Sequence, residues 1–392
     1  SIKESISQHI RNQTKEEGIP RLYHYAQLLL AVQPNEVRYG ATGTPAKFWS
    51  VWKEDNEKQV SKLVGDRSPT EQDRSLTALC SPERLMEMVY KFTVFDGPDK
   101  KIARYQQYFA IQETLKRVTK KDTDGQRGGG VVWHTQGSGK SLTMVMLSKA
   151  LSLEKSIVDP RVIIVTDRIS LDKQIYKTFL NCGKNVHKAK SGNNLIELLQ
   201  DKGNEIVTCV IDKFETALNR KDFKDHSENL FVLVDESHRG QFGSSHAKMK
   251  KMLPLACYIG FTGTPLMAGE KKTARKFGSF IHTYTIDEAV KDGAVLPLLY
   301  EGRAAKLSIN KKQIDKGFDR LSADLTYEAA KDLKKKFARI AKLYESQQVV
   351  EEIAFDIANH YSSTWRGTGF KAQLVVPKID TAIRYQKYFE DE

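Results

Sequence analysis

The chain has 392 residues, with 62 Lys and Arg against 49 Asp and Glu, for a net charge of +13. At about 150 residues per domain that length suggests two to three domains, and 40% hydrophobic residues supply enough core for them. No apolar run reaches about 18 residues, which excludes a transmembrane helix, and the opening SIKESISQHI does not read as a signal peptide. Cys80, Cys182, Cys209 and Cys257 form no CxxC pair, so neither a disulfide framework nor a zinc site is indicated, and a reducing cytoplasm is expected. The basic excess favours a polyanionic partner.

Ile2, Ile6 and Ile10 recur every four positions and predict a helix over residues 1–18, broken by Gly18 and Pro20. Residues 21–40 predict two strands, in LYHYAQLLLAV and NEVRYG, around a turn at Pro34-Asn35. Residues 51–95 are rich in charged residues and predict short connecting helices. KIARYQQYFAIQETLKRV predicts a helix with Ala103, Phe109, Ala110 and Leu115 inward. After GQRGGG, apolar runs alternate with helical segments: VVWHT, a helix from about 139, VIIVT, a helix near 170–180, EIVTCVI, FVLVDE and CYIGFTG. This alternation predicts an α/β fold with a parallel sheet buried on both faces. Residues 283–303 read as a connection, 326–362 as helix, and KAQLVVP at 371–377 as a new buried strand. A domain beginning near 370 cannot be completed by Glu392, so a truncated C-terminus is expected.

The sharpest motif is WHTQGSGKSLT, which follows the strand Val131–Trp133 and opens an apolar helix. That is the setting of a phosphate-binding loop. Gly137, Ser138 and Gly139 let backbone N–H groups approach phosphate oxygens, and the helix N-terminus adds positive potential. Lys140 can reach the β and γ phosphates, and Ser141 can ligate Mg²⁺. His134 stands where the general pattern has Gly. VLVDESHR then places Asp235 and Glu236 after a second buried strand, suited to holding Mg²⁺ and to orienting or deprotonating a water. Alone, such a pair reads as an acidic helix cap; with the loop it points to catalysis, by Glu236, Lys140 and Asp235. GFTGTP follows a third strand, and Thr262 and Thr264 could hydrogen-bond toward Glu236 and His238.

HTQGSGKS, DESH and FTGTP, in this order, resemble superfamily 2 helicases and translocases. More closely, the chain resembles the restriction (R, HsdR) subunit of type I restriction–modification enzymes, as IARYQQYFAI, VTDRISLDKQ, DESHRGQFG and IHTYTIDEAVKDGAVLPLLYEGR also do. The resemblance implies RecA-like lobes, ATP and Mg²⁺ as ligands, and an ATP-driven double-stranded DNA translocase that cuts DNA. Its partners would be the methyltransferase (M) and specificity (S) subunits, with no membrane role. Nucleotide contacts are implied at Gln107 (runner-up Gln106), His134, Gly137, Ser138, Gly139, Lys140 and Ser141. Mg²⁺ ligation is implied at Ser141 and Asp235, and coupling at His238, Thr262 and Thr264. DNA phosphate contacts are implied at Arg168, Ser170, Lys173 and Lys213; an exposed basic residue serving only solubility is an equal alternative for each.

The implied layout is a nuclease-like remnant at 1–50, a helical linker at 51–95, the first motor lobe at 96–300, a helical connector at 301–369 and the start of a second lobe at 370–392. The strands carrying a nuclease's Asp and Glu-x-Lys are expected upstream of Ser1. The helix that follows such strands matches at Gln8, but Asn12 replaces the usual Tyr. A chain without the second lobe's arginine is expected to bind Mg-ATP and hydrolyse it weakly. The basic run KDLKKKFARIAK at 331–342 reads as a solvated helix face. Another superfamily 2 translocase, such as a type III restriction subunit or a remodeller, remains an alternative, as does a nucleotide-gated docking module that performs no chemistry.

Overall fold

A computed structural model describes residues 1–123, 125–203, 205–218, 223–235, 242–264, 277–303 and 347–391. The chain divides into two units, Ser1–Pro297 and Leu298–Glu392.

The first unit opens with α1 (Ile2–Arg11), whose N-terminus is closed by a capping box between Ser1 and Glu4. It buries Ile2 and Ile6 but leaves Ile10 exposed, and it ends at Arg11, short of the predicted Gly18. Next comes α2 (Pro20–Tyr25), where a strand was expected. Pro20 explains the difference, because its fixed φ and missing N–H suit the first turn of a helix. The hairpin of β1 (Leu29–Gln33) and β2 (Glu36–Gly40) forms as predicted, with Gln33 opposite Glu36 across the Pro34-Asn35 turn. Three short helices follow, α3 (Glu57–Val64), α4 (Glu71–Leu79) and α5 (Pro82–Tyr90). Leu79 and Met88 take α4 and α5 into the main core. A second hairpin, β3 (Thr93–Asp96) and β4 (Asp99–Ile102), leads into α6 (Tyr105–Val118). Ala103, Ala110 and Leu115 are buried as expected, and Phe109 packs half-buried against the same core.

The centre of the unit is built from β5 (Gly130–His134), α7 (Lys140–Ser152), β6 (Arg161–Thr166), α8 (Ile169–Asn181), β7 (Val186–Lys188), α9 (Gly192–Gln200), β8 (Ile206–Val210), α10 (Asp212–Leu218), β9 (Leu230–Val234), α11 (Phe242–Met252), β10 (Cys257–Thr262), β11 (Phe280–Tyr284) and α12 (Ile286–Lys291). The seven strands form one sheet in the order β11-β5-β10-β9-β6-β8-β7, and every pairing is parallel. This is the RecA-like α/β architecture. Alternate residues go to opposite faces: Phe231 and Leu233 join one core with Val162 and Ile164, while Leu230, Val232 and Val234 join the other with Ile163 and Val165. Burial on both faces is why these strands read as continuous apolar runs. α7 packs into the first of these cores, with Met144–Leu147, Ala150 and Leu151 buried.

β11 was not predicted, and its last two residues, Thr283 and Tyr284, fall in the stretch read as a connection. It is an edge strand, and Phe280, Ile281 and His282 are only half-buried, so its polar mixture hides its register.

The second unit holds α13 (Gln347–Thr364) and α14 (Ile379–Asp391), which meet through Val350, Ala354 and Tyr385. The buried strand expected at KAQLVVP is not formed. Residues 371–377 belong to no strand, and Val375 is 80% exposed. A buried strand needs neighbours to take its backbone hydrogen bonds, and none pairs with it among the described residues. The basic run 331–342 and most of the expected 301–369 connector lie outside the described residues. No described helix is long and apolar enough to cross a membrane.

Candidate nucleotide site

The loop after β5 has the shape its glycines allow. Gly137 and Gly139 sit at φ +83° and +89°, in the left-handed region. A Cβ at Gly139 would also lie 2.8 Å from Gln107 Nε2. Ser138 is buried and its hydroxyl donates to Thr135 O at 2.7 Å, while Thr143 N–H donates to Gly139 O at 3.0 Å. Lys140 and Ser141 head α7, where the unpaired N–H groups of the first turn and the helix dipole face the loop. Lys140 Nζ lies 3.3 Å from His134 O.

Gln107 is the pin of this loop. It is buried on α6; its Nε2 donates to Gly139 O at 3.1 Å and Thr143 Oγ1 at 3.3 Å, and its Oε1 accepts from Arg104 N–H at 2.9 Å. Both Nε2 hydrogens are therefore committed, leaving Oε1 one lone pair. Gln106, the runner-up, is also buried, and its Nε2 has no hydrogen-bond partner in the described residues.

His134 enters the site through its carbonyl rather than its ring. The ring is fully buried against β11, with Nε2 2.9 Å from His282 Nδ1. Burial first, then the neighbouring His282 and Lys140, hold its pKa well below the usual histidine value; burial lowers His282 as well. The pair is therefore neutral at pH 7.

Sheet order brings the other motifs alongside. β10 lies between β5 and β9, with Thr262 opposite Trp133 and Gly260 opposite Val234. Asp235 follows β9, is 8% exposed, and donates its N–H to Val165 O at 2.9 Å. Thr262 is fully buried, and its Oγ1 accepts from Thr264 N–H at 3.3 Å. A Cβ at Gly263 would stand 3.2 Å from Lys140 Nζ and 3.3 Å from Gln136 N, so the turn after β10 packs directly on the phosphate loop. Glu236 and His238, and with them the expected contacts of Thr262 and Thr264, lie outside the described residues.

The donor set suits Mg²⁺. Ser141 offers a hydroxyl oxygen and Asp235 carboxylate oxygens, all hard ligands. Among the described residues no cluster of three or more His, Cys, Asp or Glu could cage a metal alone. Mg²⁺ is commonly bound through one or two carboxylates together with phosphate oxygens.

Arg168, Ser170 and Lys173 are exposed around the start of α8, just beyond the C-terminal end of β6 and on the same edge of the sheet as the phosphate loop. Lys213 differs: it is half-buried and its ammonium donates to Ala189 O.

A hub around Asp292 escaped the sequence reading. Its side chain is 5% exposed and pairs with Lys53, while Oδ2 accepts from Tyr105 Oη at 2.6 Å and Tyr284 Oη at 2.9 Å. Burial first, then Asp292, pushes both tyrosine pKa values up. The hub ties the start of α6 to the end of β11, and Val295, three residues on, would meet a Cβ on Gly137 at 3.2 Å. No local signal marks it, because Asp292 after a helix reads as an ordinary C-terminal polar residue.

The family model described as SWI2/SNF2 ATPase matches residues 106–331. A putative type I restriction enzyme MjaIXP endonuclease subunit of Methanocaldococcus jannaschii is 29% identical over 99% of this chain and 39% of its own length. The type I restriction enzyme HindI endonuclease subunit of Haemophilus influenzae is 31% identical over 93% of this chain and 36% of its own length. The chain thus spans about two fifths of these relatives, and the resemblance to R subunits holds. Among solved structures, a nuclease-deletion mutant of the Type ISP restriction-modification enzyme LlaGI in complex with a DNA substrate mimic aligns with 74% of this chain and 32% of that chain, at 15% identity and a TM-score of 0.39.

Proposed function

The chain belongs to the SWI2/SNF2 ATPase family, and from that we propose that it is the ATP-dependent, duplex-DNA-translocating part of a type I restriction endonuclease R subunit. The observation that carries the reading is the phosphate loop at Gly137–Ser141, with Gly137 and Gly139 in the left-handed region and the turn after β10 packed against it. In this reading Lys140 and the N-terminus of α7 hold the β and γ phosphates, and Gln107 fixes the loop and offers its remaining Oε1 lone pair to an adenine amine. Ser141 and Asp235 would hold Mg²⁺, which neutralises phosphate charge when bound. Glu236 would orient or deprotonate the attacking water, and Thr262 and Thr264 with His238 would relay the state of the site. Arg168, Ser170 and Lys173 would contact DNA phosphates independently of sequence. M and S subunits are the proposed partners, and the cytoplasm the proposed compartment.

Among the described residues the sheet that carries the phosphate loop is the one parallel sheet. An arginine from a second lobe can be worth about 10³–10⁵ in rate, so slow hydrolysis is proposed for this chain. The test is phosphate release from Mg-ATP with and without duplex DNA. Slow release that rises with DNA and disappears in Lys140→Ala supports the reading. Release unaffected by DNA contradicts the translocase, and release at about 1–100 per second, the range of an efficient phosphotransferase, contradicts the slow hydrolysis.

A further inference from the structure

The phosphate loop opens into a cleft of about 290 Å³, and the far wall of that cleft does not come from the sheet. One end is formed by Gly137, Ser138, Gly139 and Leu142, with Gln107 beside them. The other is formed by Gly43, Thr44, Pro45 and Phe48, from the segment after β2. Residues 99–102 of β4, with Asp96 and Arg104, also line it.

That wall is anchored to the rest of the fold. Tyr39 is 1% exposed and donates its hydroxyl to Ala103 O at 2.8 Å, just before α6. Trp52 packs between Tyr39, edge to face, and Tyr108, tilted, at ring distances of 5.8 and 5.3 Å. Between these anchors the chain turns tightly. Thr44 N–H donates to Ala41 O, Ala41 N–H to Thr44 Oγ1, and Trp49 Nε1 to Thr44 O. Gly43 takes φ +82°. Lys100 Nζ donates to Ala26 O and Gln27 Oε1, fastening the β3–β4 hairpin to the link between α2 and β1. Phe48 lines the cleft at 48% exposed, with Lys47 Nζ 4.9 Å from its ring centroid on one side.

A nucleotide whose phosphates are held at Gly137–Ser141 must extend its sugar and base away from the loop, and the cleft is the space that continues from it. We infer that the base and sugar of the bound nucleotide lie between Gln107 and the 43–48 segment, with Phe48 as the ring on which the base packs. The N-terminal segment is then part of the nucleotide site, and nucleotide occupancy is felt directly by the hairpin and α1 behind it. This inference rests on the nucleotide site proposed above.

The test separates the two ends of the ligand. Mg-ATP and inorganic tripolyphosphate are titrated calorimetrically into the 392-residue chain, Phe48→Ala and Phe48→Tyr. Loss of one base-stacking ring is expected to weaken ATP about tenfold in Phe48→Ala, with tripolyphosphate unchanged and Phe48→Tyr close to the parent. Equal ATP affinity in all three chains overturns the inference while leaving the phosphate site standing. Failure of both ligands to bind the unmutated chain overturns the nucleotide site and this inference with it. Photolabelling the unmutated chain with 8-azido-ATP is a check free of any folding defect. Label within residues 40–50 or 99–107 is expected, and label confined to other segments overturns the inference.

Discussion

Asp292→Ala is the perturbation with the most to lose away from the phosphates. Two tyrosine hydroxyls and Lys53 converge on this carboxylate. Tyr284 is 1% exposed, so its hydroxyl cannot turn to water once the acceptor is gone. An unsatisfied buried donor costs about 1–3 kcal/mol. Tyr105 is half-buried and can recover part of its hydration, so its bond adds about 0.5–1.5 kcal/mol. The sum is roughly 1.5–4.5 kcal/mol, measurable as a lower urea midpoint at unchanged slope. Adding Tyr284→Phe to Asp292→Ala removes the orphaned hydroxyl and should restore at least about 1 kcal/mol, because replacing both partners is cheaper than replacing one. ATP affinity should fall as well, since the hub holds the start of α6 and the segment over Gly137. A loss under about 0.5 kcal/mol, or a double variant no more stable than Asp292→Ala, would refute the reasoning.

Gln107→Glu keeps an acceptor for Arg104 N–H but sets a carboxylate oxygen against the Gly139 carbonyl; thermal melts should show a loss of about 1–3 kcal/mol, and ATP titration should show weaker binding. The buried His134–His282 pair is held neutral, with folded pKa values below the unfolded one of about 6.5. Stability is therefore full above that pH and is lost as pH falls, when the unfolded chain takes up protons the folded chain refuses. His134→Phe should flatten stability against pH below about 6.5, and an unchanged slope would contradict the assignment. For DNA, Arg168→Ala and Lys173→Ala should each reduce the log–log salt slope of duplex binding by about 0.9. Lys213→Ala should leave that slope unchanged, because its ammonium is already engaged by Ala189 O.

The centre of the fold was legible because strands buried on both faces leave continuous apolar runs, and β5, β6, β8, β9 and β10 all appear where VVWHT, VIIVT, EIVTCVI, FVLVDE and CYIGFTG predict. The phosphate loop was legible because its glycines answer a local backbone demand at Gly137 and Gly139. β11 was hidden by its place at the sheet edge, where Phe280–His282 are half-buried and no continuous apolar run forms. His282 meets His134 across 148 positions, and Asp292 meets Tyr105 across 187, so no spacing rule reaches either. The Phe48 wall was read as the tail of a separate domain, because only the anchors of Tyr39 and Trp52 carry it to the loop. KAQLVVP shows the converse: an apolar run states a need for cover, and the neighbours decide whether a strand forms.

The most direct test of the nucleotide site is thermal unfolding of the chain with and without Mg-ATP, beside Lys140→Ala. Ligand at 100 times its dissociation constant adds about 2.7 kcal/mol to the state that binds it. At about 2–4 °C per kcal/mol that is a rise of roughly 5–10 °C. The expected result is this rise in the unmutated chain and its loss in Lys140→Ala. No rise in the unmutated chain, or an equal rise in both, would contradict a nucleotide held at Gly137–Ser141.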